Sequence, residues 1–196
     1  LDVFQILETN CLNMIEGQYM DIDFEDRDSI TVDQYLEMIE KKTSALISGA
    51  LQSGAVLGMD RDRLDGFGRF GRYLGIAFQI TDDILGIWGN DKKTGKPQAS
   101  DIKKKKKSLP IVFCMQEGKG RTAEKLKAVC SKSRISPRAV NAVLSLLQDC
   151  GTREFCREQA EKYYRLALRE LESLPIRKEY AGHYREIARF LIKRDF

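Results

Sequence analysis

The segment from about Arg63 to Trp88 constrains the fold more than any other part of the chain. Its apolar residues recur with helical periodicity, and glycines interrupt it at positions 66, 68, 71 and 75. Each glycine in a helix interior costs about 1 kcal/mol relative to alanine, so their retention needs a structural reason. Glycines three or four residues apart usually allow close contact with the backbone of a neighbouring helix. The segment therefore predicts a central, tightly packed helix.

The same segment carries two adjacent carboxylates among apolar neighbours. Gln79, Asp82 and Asp83 stand at i, i+3 and i+4, so they share one helix face. Two like charges side by side are unfavourable without a cation, and Mg²⁺ prefers oxygen ligands and often completes its shell with substrate phosphates. The residues predict a magnesium and diphosphate site. A solvated Asp-Asp pair near a helix end is the alternative that the residues alone leave open.

Helical periodicity also dominates elsewhere, because strand signals are weak and the chain has only four prolines. We predict an all-α fold and a single domain over residues 1–196. Thr31 has the features of an N-cap, whereas residues 20–30 and 89–106 have the composition of loops. The predicted helices cover approximately 1–18, 32–57, 63–88, 107–117, 121–131, 137–149, 151–173 and 177–194.

Composition indicates a soluble globular protein, with 42% hydrophobic and 32% charged residues. The net charge of +4 is too small to indicate nucleic-acid binding. Only the region 92–107 is strongly basic, with an unbroken lysine run over 103–107. No aromatic residue lies between Lys92 and Pro110, which disfavours a base-stacking surface. A phosphate contact also accounts for the neighbouring acids and for Gly95-Lys96, and a solvated charge run is the alternative. We therefore expect no nucleic-acid partner.

The cysteines argue for reduced thiols in a cytoplasmic protein. They are odd in number, form no CxxC pair and are far from the single histidine, so a zinc site and a disulfide framework are both disfavoured. These residues are Cys11, Cys114, Cys130, Cys150, Cys156 and His183. The most apolar stretch, Ala45–Met59, is shorter than the ~20 residues of a membrane span. The chain starts without Met in a helical pattern, so we expect further helices upstream.

Two other polar groups are candidates for the same site. Lys42-Thr43 falls in the middle of a predicted helix. If that helix packs beside the one carrying Asp82, the ammonium could face the metal across a diphosphate. An ordinary surface pair of Lys41 and Lys42 is the alternative. Around Gly17-Gln18 and the acids that follow, a role in the site and a solvated acidic loop remain equally open, whereas a calcium loop lacks its required Gly and closing Glu.

At this point the chain resembles a known family, the trans-isoprenyl diphosphate synthases, which include farnesyl and geranylgeranyl diphosphate synthases. The resemblance covers nearly the whole chain and matches the C-terminal part of those enzymes. It rests on motifs that occur here in the family's order and spacing: Gly17-Gln18 with Asp21, Lys42-Thr43, Phe78-Gln79-x-x-Asp82-Asp83, Gly95-Lys96, Asp101 and Lys106-Lys107-Ser108-Leu109-Pro110.

The resemblance implies an isoprenoid-synthase-type helical bundle around a central cavity, usually a homodimer, with N-terminal helices missing from this sequence. It implies the head-to-tail condensation of an allylic diphosphate with isopentenyl diphosphate, dependent on Mg²⁺, to a short-chain product such as geranylgeranyl or farnesyl diphosphate. Asp82 corresponds to a direct metal ligand and Asp83 to a water-mediated one. The implied contacts to the allylic diphosphate are Lys42, Thr43, Gln79, Lys96 and Lys106, and the implied catalytic residues are Lys42, Asp82 and Lys96.

Two departures from the family pattern matter. The third Asp of the second aspartate-rich motif is replaced by Gly86, as in some geranylgeranyl-type synthases, and the first motif, DDxxD, does not occur in these residues. We therefore expect little turnover from the 196 residues alone. A non-catalytic subunit that modulates a catalytic partner is the alternative function. A terpene cyclase is disfavoured because Gly86 and Asn90 stand where its metal motif needs other residues.

Overall fold

A computed structural model describes residues 1–58, 61–89, 98–130 and 134–193. Within these ranges the chain forms helices and turns without a β-strand, which confirms the predicted all-α fold. No helix in the described ranges is long and apolar enough to cross a bilayer. The helices are α1 Asp2–Asp26, α2 Val32–Ile39, a π-helical turn Glu40–Ser44, α3 Ala45–Leu57, a 3₁₀ turn Arg61–Arg63, α4 Leu64–Trp88, α5 Ser100–Lys103, α6 Leu109–Glu117, α7 Thr122–Cys130, α8 Pro137–Asp149, α9 Thr152–Ser173 and α10 Lys178–Ile192.

The described chain divides into two compact units. Unit 1 contains Leu1–Asp21, Leu36–Gln79 and the described chain from Gln159 onward, and unit 2 contains Ile22–Tyr35 and the described parts of Ile80–Glu158. That these units form one domain stays a prediction.

Unit 1 is built around an aromatic and aliphatic core. Buried side chains from α3, α4, α9 and α10 form one cluster, in which the ring of Phe70 meets that of Tyr184 edge-on at 5.9 Å between centroids. Edge-to-face rings add about 0.5–1.5 kcal/mol beyond their buried area. The other buried members are Ala55, Phe67, Leu74, Ala77, Tyr164, Ala167, Leu171, Leu174, Ala188 and Ile192.

The glycines of α4 allow the close contact that the sequence predicts. A Cβ atom at Gly71 would lie 2.7 Å from the Cα of Ser48, and one at Gly75 would lie 2.5 Å from the Cα of Ser44. Both atoms belong to the backbone of α3 or of the π-helical turn before it. Any larger residue would force two backbones apart, which explains glycine at these positions.

Unit 2 has a smaller core of aliphatic residues from α4 to α8. Its fully buried members include Ile87, Cys114, Leu126 and Leu147. Ser136 caps α8 as predicted, because its Oγ accepts a hydrogen bond from the backbone N–H of Ala139 at 3.3 Å. The predicted bounds of α8, 137–149, are those of the structure.

The prediction of a loop over residues 20–30 is wrong for its first part, since α1 continues to Asp26. Phe24 is buried, so one apolar side chain packs this acidic end of α1 against the rest of the protein. The carbonyls of Phe24, Glu25 and Arg27 accept hydrogen bonds from Nζ of Lys107. A cation at a helix C-terminus satisfies orphan carbonyls and is favourable with the helix dipole. Lys107 therefore stabilises the end of α1.

Thr31 begins the next helix as predicted, through a reciprocal capping box. Its Oγ1 accepts from the N–H of Gln34 at 3.1 Å, and its own N–H donates to Oε1 of Gln34 at 2.9 Å. The helix predicted over 32–57 is interrupted by the π-helical turn Glu40–Ser44, which sequence periodicity did not indicate. Such turns insert one residue into a helix and are frequent at functional sites.

The predicted loop over 89–106 contains the short helix α5, which ends in a Schellman motif. The N–H of Lys105 donates to the carbonyl of Ile102 at 3.0 Å, and that of Lys106 donates to the carbonyl of Asp101 at 2.9 Å. Lys105 takes the left-handed conformation, with φ of 57°, where glycine is usual. This turn fixes where the lysine run leaves α5.

Candidate functional site

A cluster of polar side chains in unit 1, here called the polar group, lies around the π-helical turn. The backbone of α1 approaches this turn so closely that a Cβ atom at Gly17 would lie 2.7 Å from the Cα of Lys42. Glycine at position 17 is therefore a packing requirement. The turn carries Lys42 and Thr43 next to the acidic end of α1.

Lys42 forms an ion pair and Thr43 a hydrogen bond within unit 1. Nζ of Lys42 lies 2.5 Å from Oδ2 of Asp21, and the two side chains are 34% and 36% exposed. Oγ1 of Thr43 donates to Oε1 of Gln79 at 2.9 Å. The structure thus brings together Asp21, Lys42, Thr43 and Gln79, which belong to separate motifs of the sequence. An ammonium one-third exposed and already paired with one carboxylate can exchange that partner for a more highly charged anion.

Lys41 pairs with other carboxylates than Lys42 does. Its Nζ lies 3.1 Å from Glu16 and 3.6 Å from Glu37. The hydrogen bond that Lys41 donates to the carboxylate of Glu16 raises the pKa of Lys41 above its ordinary value. Lys41 is an ordinary ion-paired cation, and Lys42 alone meets Asp21.

Unit 2 holds the adjacent carboxylates, one of which is buried. Asp83 is only 4% exposed. Its Oδ2 accepts hydrogen bonds from the hydroxyl of Tyr35 and from the backbone N–H of Leu109, the latter at 3.0 Å. A buried carboxylate needs such donors, because burial without them would cost several kcal/mol (roughly 2–7 for a polar group alone). Neither donor has a recognisable signal in the sequence.

Asp82 is the neighbouring carboxylate on α4, and it is partly buried. Because successive helical residues point about 100° apart, Asp82 projects differently from the anchored Asp83. In the described part of the chain, no three His, Cys, Asp or Glu side chains are grouped to hold a metal ion. Magnesium often needs only one or two protein carboxylates when substrate phosphates complete its shell, so the oxygen donors of this pair fit that ion.

A second buried acid, Asp101, explains the departure at position 86. Asp101 is 6% exposed, and a Cβ atom at Gly86 would lie 2.5 Å from its carboxylate carbon. Oγ of Ser100 lies 3.2 Å from Oδ1 of Asp101 and 3.3 Å from the carbonyl of Gly86. An aspartate at position 86 would displace the carboxylate of Asp101 from the position it has here, which favours glycine.

The lysine run has more than one role. Lys103 donates to the carbonyl of Gln98 at 2.9 Å, and Lys107 binds the end of α1. Lys104 and Lys106 are exposed. The exposed side chain of Lys106 is therefore accessible to a phosphate, as predicted for a contact residue. Lys107 instead binds the carbonyls at the end of α1. Lys96, a further predicted phosphate-binding lysine, lies outside the described residues.

Comparison with known proteins identifies the family. The family model of polyprenyl synthetase matches residues 1–147. The chain belongs to the polyprenyl synthetase family. This finding confirms the resemblance that the motifs indicated.

Relatives within the polyprenyl synthetase family agree in sequence and in fold. The chain is 37% identical over 186 residues to a geranylgeranyl pyrophosphate synthase of Geoglobus acetivorans, with 94% of this chain and 56% of the relative covered. It is 31% identical over 187 residues to a (2E,6E)-farnesyl diphosphate synthase of Mycobacterium bovis, covering 93% and 52%. The crystal structure of a polyprenyl synthetase from Streptomyces coelicolor superposes with a TM-score of 0.92 at 32% identity, covering 97% and 59%.

The chain thus spans a little more than half the length of these relatives. The TM-score of 0.92 confirms the predicted isoprenoid-synthase-type helical fold for the part that is present.

Proposed function

We propose that the whole protein is a short-chain trans-prenyltransferase that condenses an allylic diphosphate with isopentenyl diphosphate. The observation that carries this proposal is the carboxylate pair on α4, in which Asp83 is buried and held by Tyr35 and Leu109 beside the partly buried Asp82. Relatives named geranylgeranyl and farnesyl diphosphate synthases support the reaction class.

In this proposal the two aspartates have different tasks. Asp82 would hold Mg²⁺ as a direct ligand, and Asp83 would support its neighbour from the buried side. When bound, Mg²⁺ neutralises charge on the diphosphate and stabilises it as a leaving group. The two hydrogen bonds hold the carboxylate of Asp83 in one geometry. The neighbouring metal ligand, Asp82, therefore needs little reorganisation when the ion binds.

The lysines and their polar neighbours contact the diphosphate. Ionisation of an allylic diphosphate breaks a C–O bond and leaves charge on the diphosphate oxygens, and positioned cations stabilise that charge. We assign this role to Lys42, Lys96 and Lys106. Thr43 and Gln79, already hydrogen-bonded to each other, orient the same group. Asp21 holds Lys42 in place before the substrate arrives.

The direct test is incorporation of labelled isopentenyl diphosphate by the full-length protein in the presence of an allylic primer and Mg²⁺. Asp82→Asn should lower kcat by about 10²-fold or more, as loss of a charge-stabilising group typically does. Asp62→Asn changes an exposed acid of the 3₁₀ turn and is the matched control, which should keep wild-type activity.

Equal activity of the Asp82→Asn and Asp62→Asn variants would refute the assigned role of Asp82. A full-length protein that makes no product alone, but stimulates a catalytic relative with which it co-purifies, would favour the alternative of a non-catalytic subunit.

We also propose that the protein forms a homodimer through the outward face of α1. This face exposes large apolar side chains along about 27 Å of helix, and Glu8 is the charged residue among them. A helix with apolar residues on both faces is normally buried, and a second copy across a two-fold axis offers the same apolar surface in return. The exposed residues are Leu1, Phe4, Leu7, Leu12, Ile15 and Tyr19.

Light scattering of the full-length protein tests this contact. We expect twice the monomer mass for the wild type and the monomer mass for Ile15→Lys, whereas a monomeric wild type would refute the dimer.

We place the protein in the cytoplasm, on the support of the free thiols Cys11, Cys114, Cys150 and Cys156. Cell fractionation with an antibody to the full-length protein would check that location.

A further inference from the structure

Two free thiols of unit 2 lie against each other. Sγ of Cys114, in the middle of α6, is 2.8 Å from Sγ of Cys150, the C-terminal cap residue of α8. The sulfur–sulfur bond of a disulfide is about 2.04 Å, so the two atoms are within 1 Å of bonding distance. Thirty-six positions separate the two residues in sequence, and no spacing motif indicated the pair.

The surroundings give the two thiols different access to solvent. Cys114 is fully buried in the core of unit 2. Cys150 is partly buried, and its backbone N–H donates to the carbonyl of Leu146 at 3.1 Å. Sγ of Cys114 is also 3.5 Å from that carbonyl. A small oxidant can therefore reach Cys150 before it reaches Cys114.

The protonation of Cys114 also favours oxidation of Cys150 first. Burial, and then the hydrogen bond with Cys150, raise the pKa of the Cys114 thiol well above its ordinary value. Thiolates, not thiols, attack oxidants, so Cys114 is a poor initiator. Its sulfur can still act as the second partner once Cys150 has reacted.

We propose that Cys114 and Cys150 form a reversible disulfide when the protein meets a peroxide. Cys150 attacks hydrogen peroxide, the O–O bond breaks, and Cys150 becomes a sulfenic acid as one water leaves. Sγ of Cys114 then attacks the sulfenic sulfur, the S–S bond forms and a second water leaves. The two thiols lose two hydrogens and two electrons, and one peroxide is reduced to two waters. A dithiol such as dithiothreitol reverses the bond by thiol–disulfide exchange.

The disulfide would tie α6 to the end of α8. The first residue of α6, Leu109, donates its backbone N–H to the buried carboxylate of Asp83. The new bond therefore anchors the helix that positions this carboxylate. Closing a loop of this length should also raise the folding equilibrium constant by about two to three powers of ten.

Peptide mapping of the full-length protein tests the proposal, because trypsin places each cysteine of this chain in a different peptide. After treatment with hydrogen peroxide, we expect peptide Ser108–Lys119 linked to peptide Ala139–Arg153, about 2 Da below the sum of the two reduced peptides, and absent after dithiothreitol. Cys11 is the matched control, since it is exposed on α1 of the other unit.

Trapping of sulfenic acid with dimedone separates the two steps. The Cys114→Ser variant should accumulate at least ten-fold more dimedone adduct on Cys150 than the wild type, because its sulfenic acid lacks the second thiol. Equal adduct in both proteins, or no linked peptide under conditions that oxidise Cys11, would overturn the proposal. Neither readout depends on prenyltransferase activity, so this test stands apart from that of the proposed function.

Discussion

Replacement of Gly75 by alanine tests whether close packing of α4 supports the polar group of unit 1. The added Cβ would lie 2.5 Å from the Cα of Ser44 and 2.8 Å from its Cβ, so the backbones must separate by about 1 Å. Overpacking of this kind costs typically 1–3 kcal/mol, and contact with backbone places this case near the upper end. Alanine returns about 1 kcal/mol of helix propensity. The expected net loss in the free energy of unfolding is about 2 kcal/mol.

Gly54→Ala is the matched control. Gly54 also lies inside a helix, but a Cβ there would meet no atom within 4 Å. This variant should gain about 0.5–1 kcal/mol, because only the propensity changes. In urea unfolding, with a slope of about 2 kcal/mol/M, the midpoints of the two variants should differ by more than 1 M and in opposite directions from the wild type.

Function gives a second readout of the same change. Ser44 ends the π-helical turn that carries Lys42 and Thr43, so displacement of this turn should weaken inorganic pyrophosphate binding by the full-length protein. Binding is measured by calorimetry in the absence of urea, at a temperature where both variants are folded. Equal stability of Gly75→Ala and Gly54→Ala would show that the close contact between α4 and Ser44 does not restrict the residue at position 75.

Three further changes probe unit 2 by urea unfolding of the full-length protein. Tyr35→Phe removes one donor to the carboxylate of Asp83 and should cost about 1.5–3 kcal/mol, whereas an unchanged midpoint would show that this hydrogen bond contributes nothing. Gly86→Ala should be destabilising, and combination with Asp101→Ala should recover at least 1 kcal/mol; additive effects would contradict the collision inferred between these positions. Lys105→Gly should stabilise by about 1 kcal/mol through relief of its left-handed backbone, and a destabilised variant would contradict this.

Local signals predicted the elements whose ends are determined within a few residues. The capping box of Thr31 and the Ser136-Pro137 start of α8 are both readable from neighbouring residues, and both occur in the structure. The glycines of α4 predicted a close helix contact, although not that Ser44 and Ser48 form it.

Features that depend on distant residues could not be predicted in this way. The end of α1 is stabilised by Lys107, about 80 residues later, so the acidic composition of residues 20–30 alone indicated a loop. The donors to Asp83 come from α2 and α6, and neither has a sequence signature. Asp101 was named only as part of a family motif, because its contact with Gly86 depends on the path of the backbone between them.

The π-helical turn has a consequence for how this protein tolerates insertions and deletions. One extra residue accommodated in Glu40–Ser44 advances every later position of α3 by about 100° around the axis. Loss of a single residue there would restore a regular α-helix but rotate Ser48 away from the glycines of α4. Changes in length at this point are therefore far more disruptive than most substitutions, even though the helix itself would remain intact.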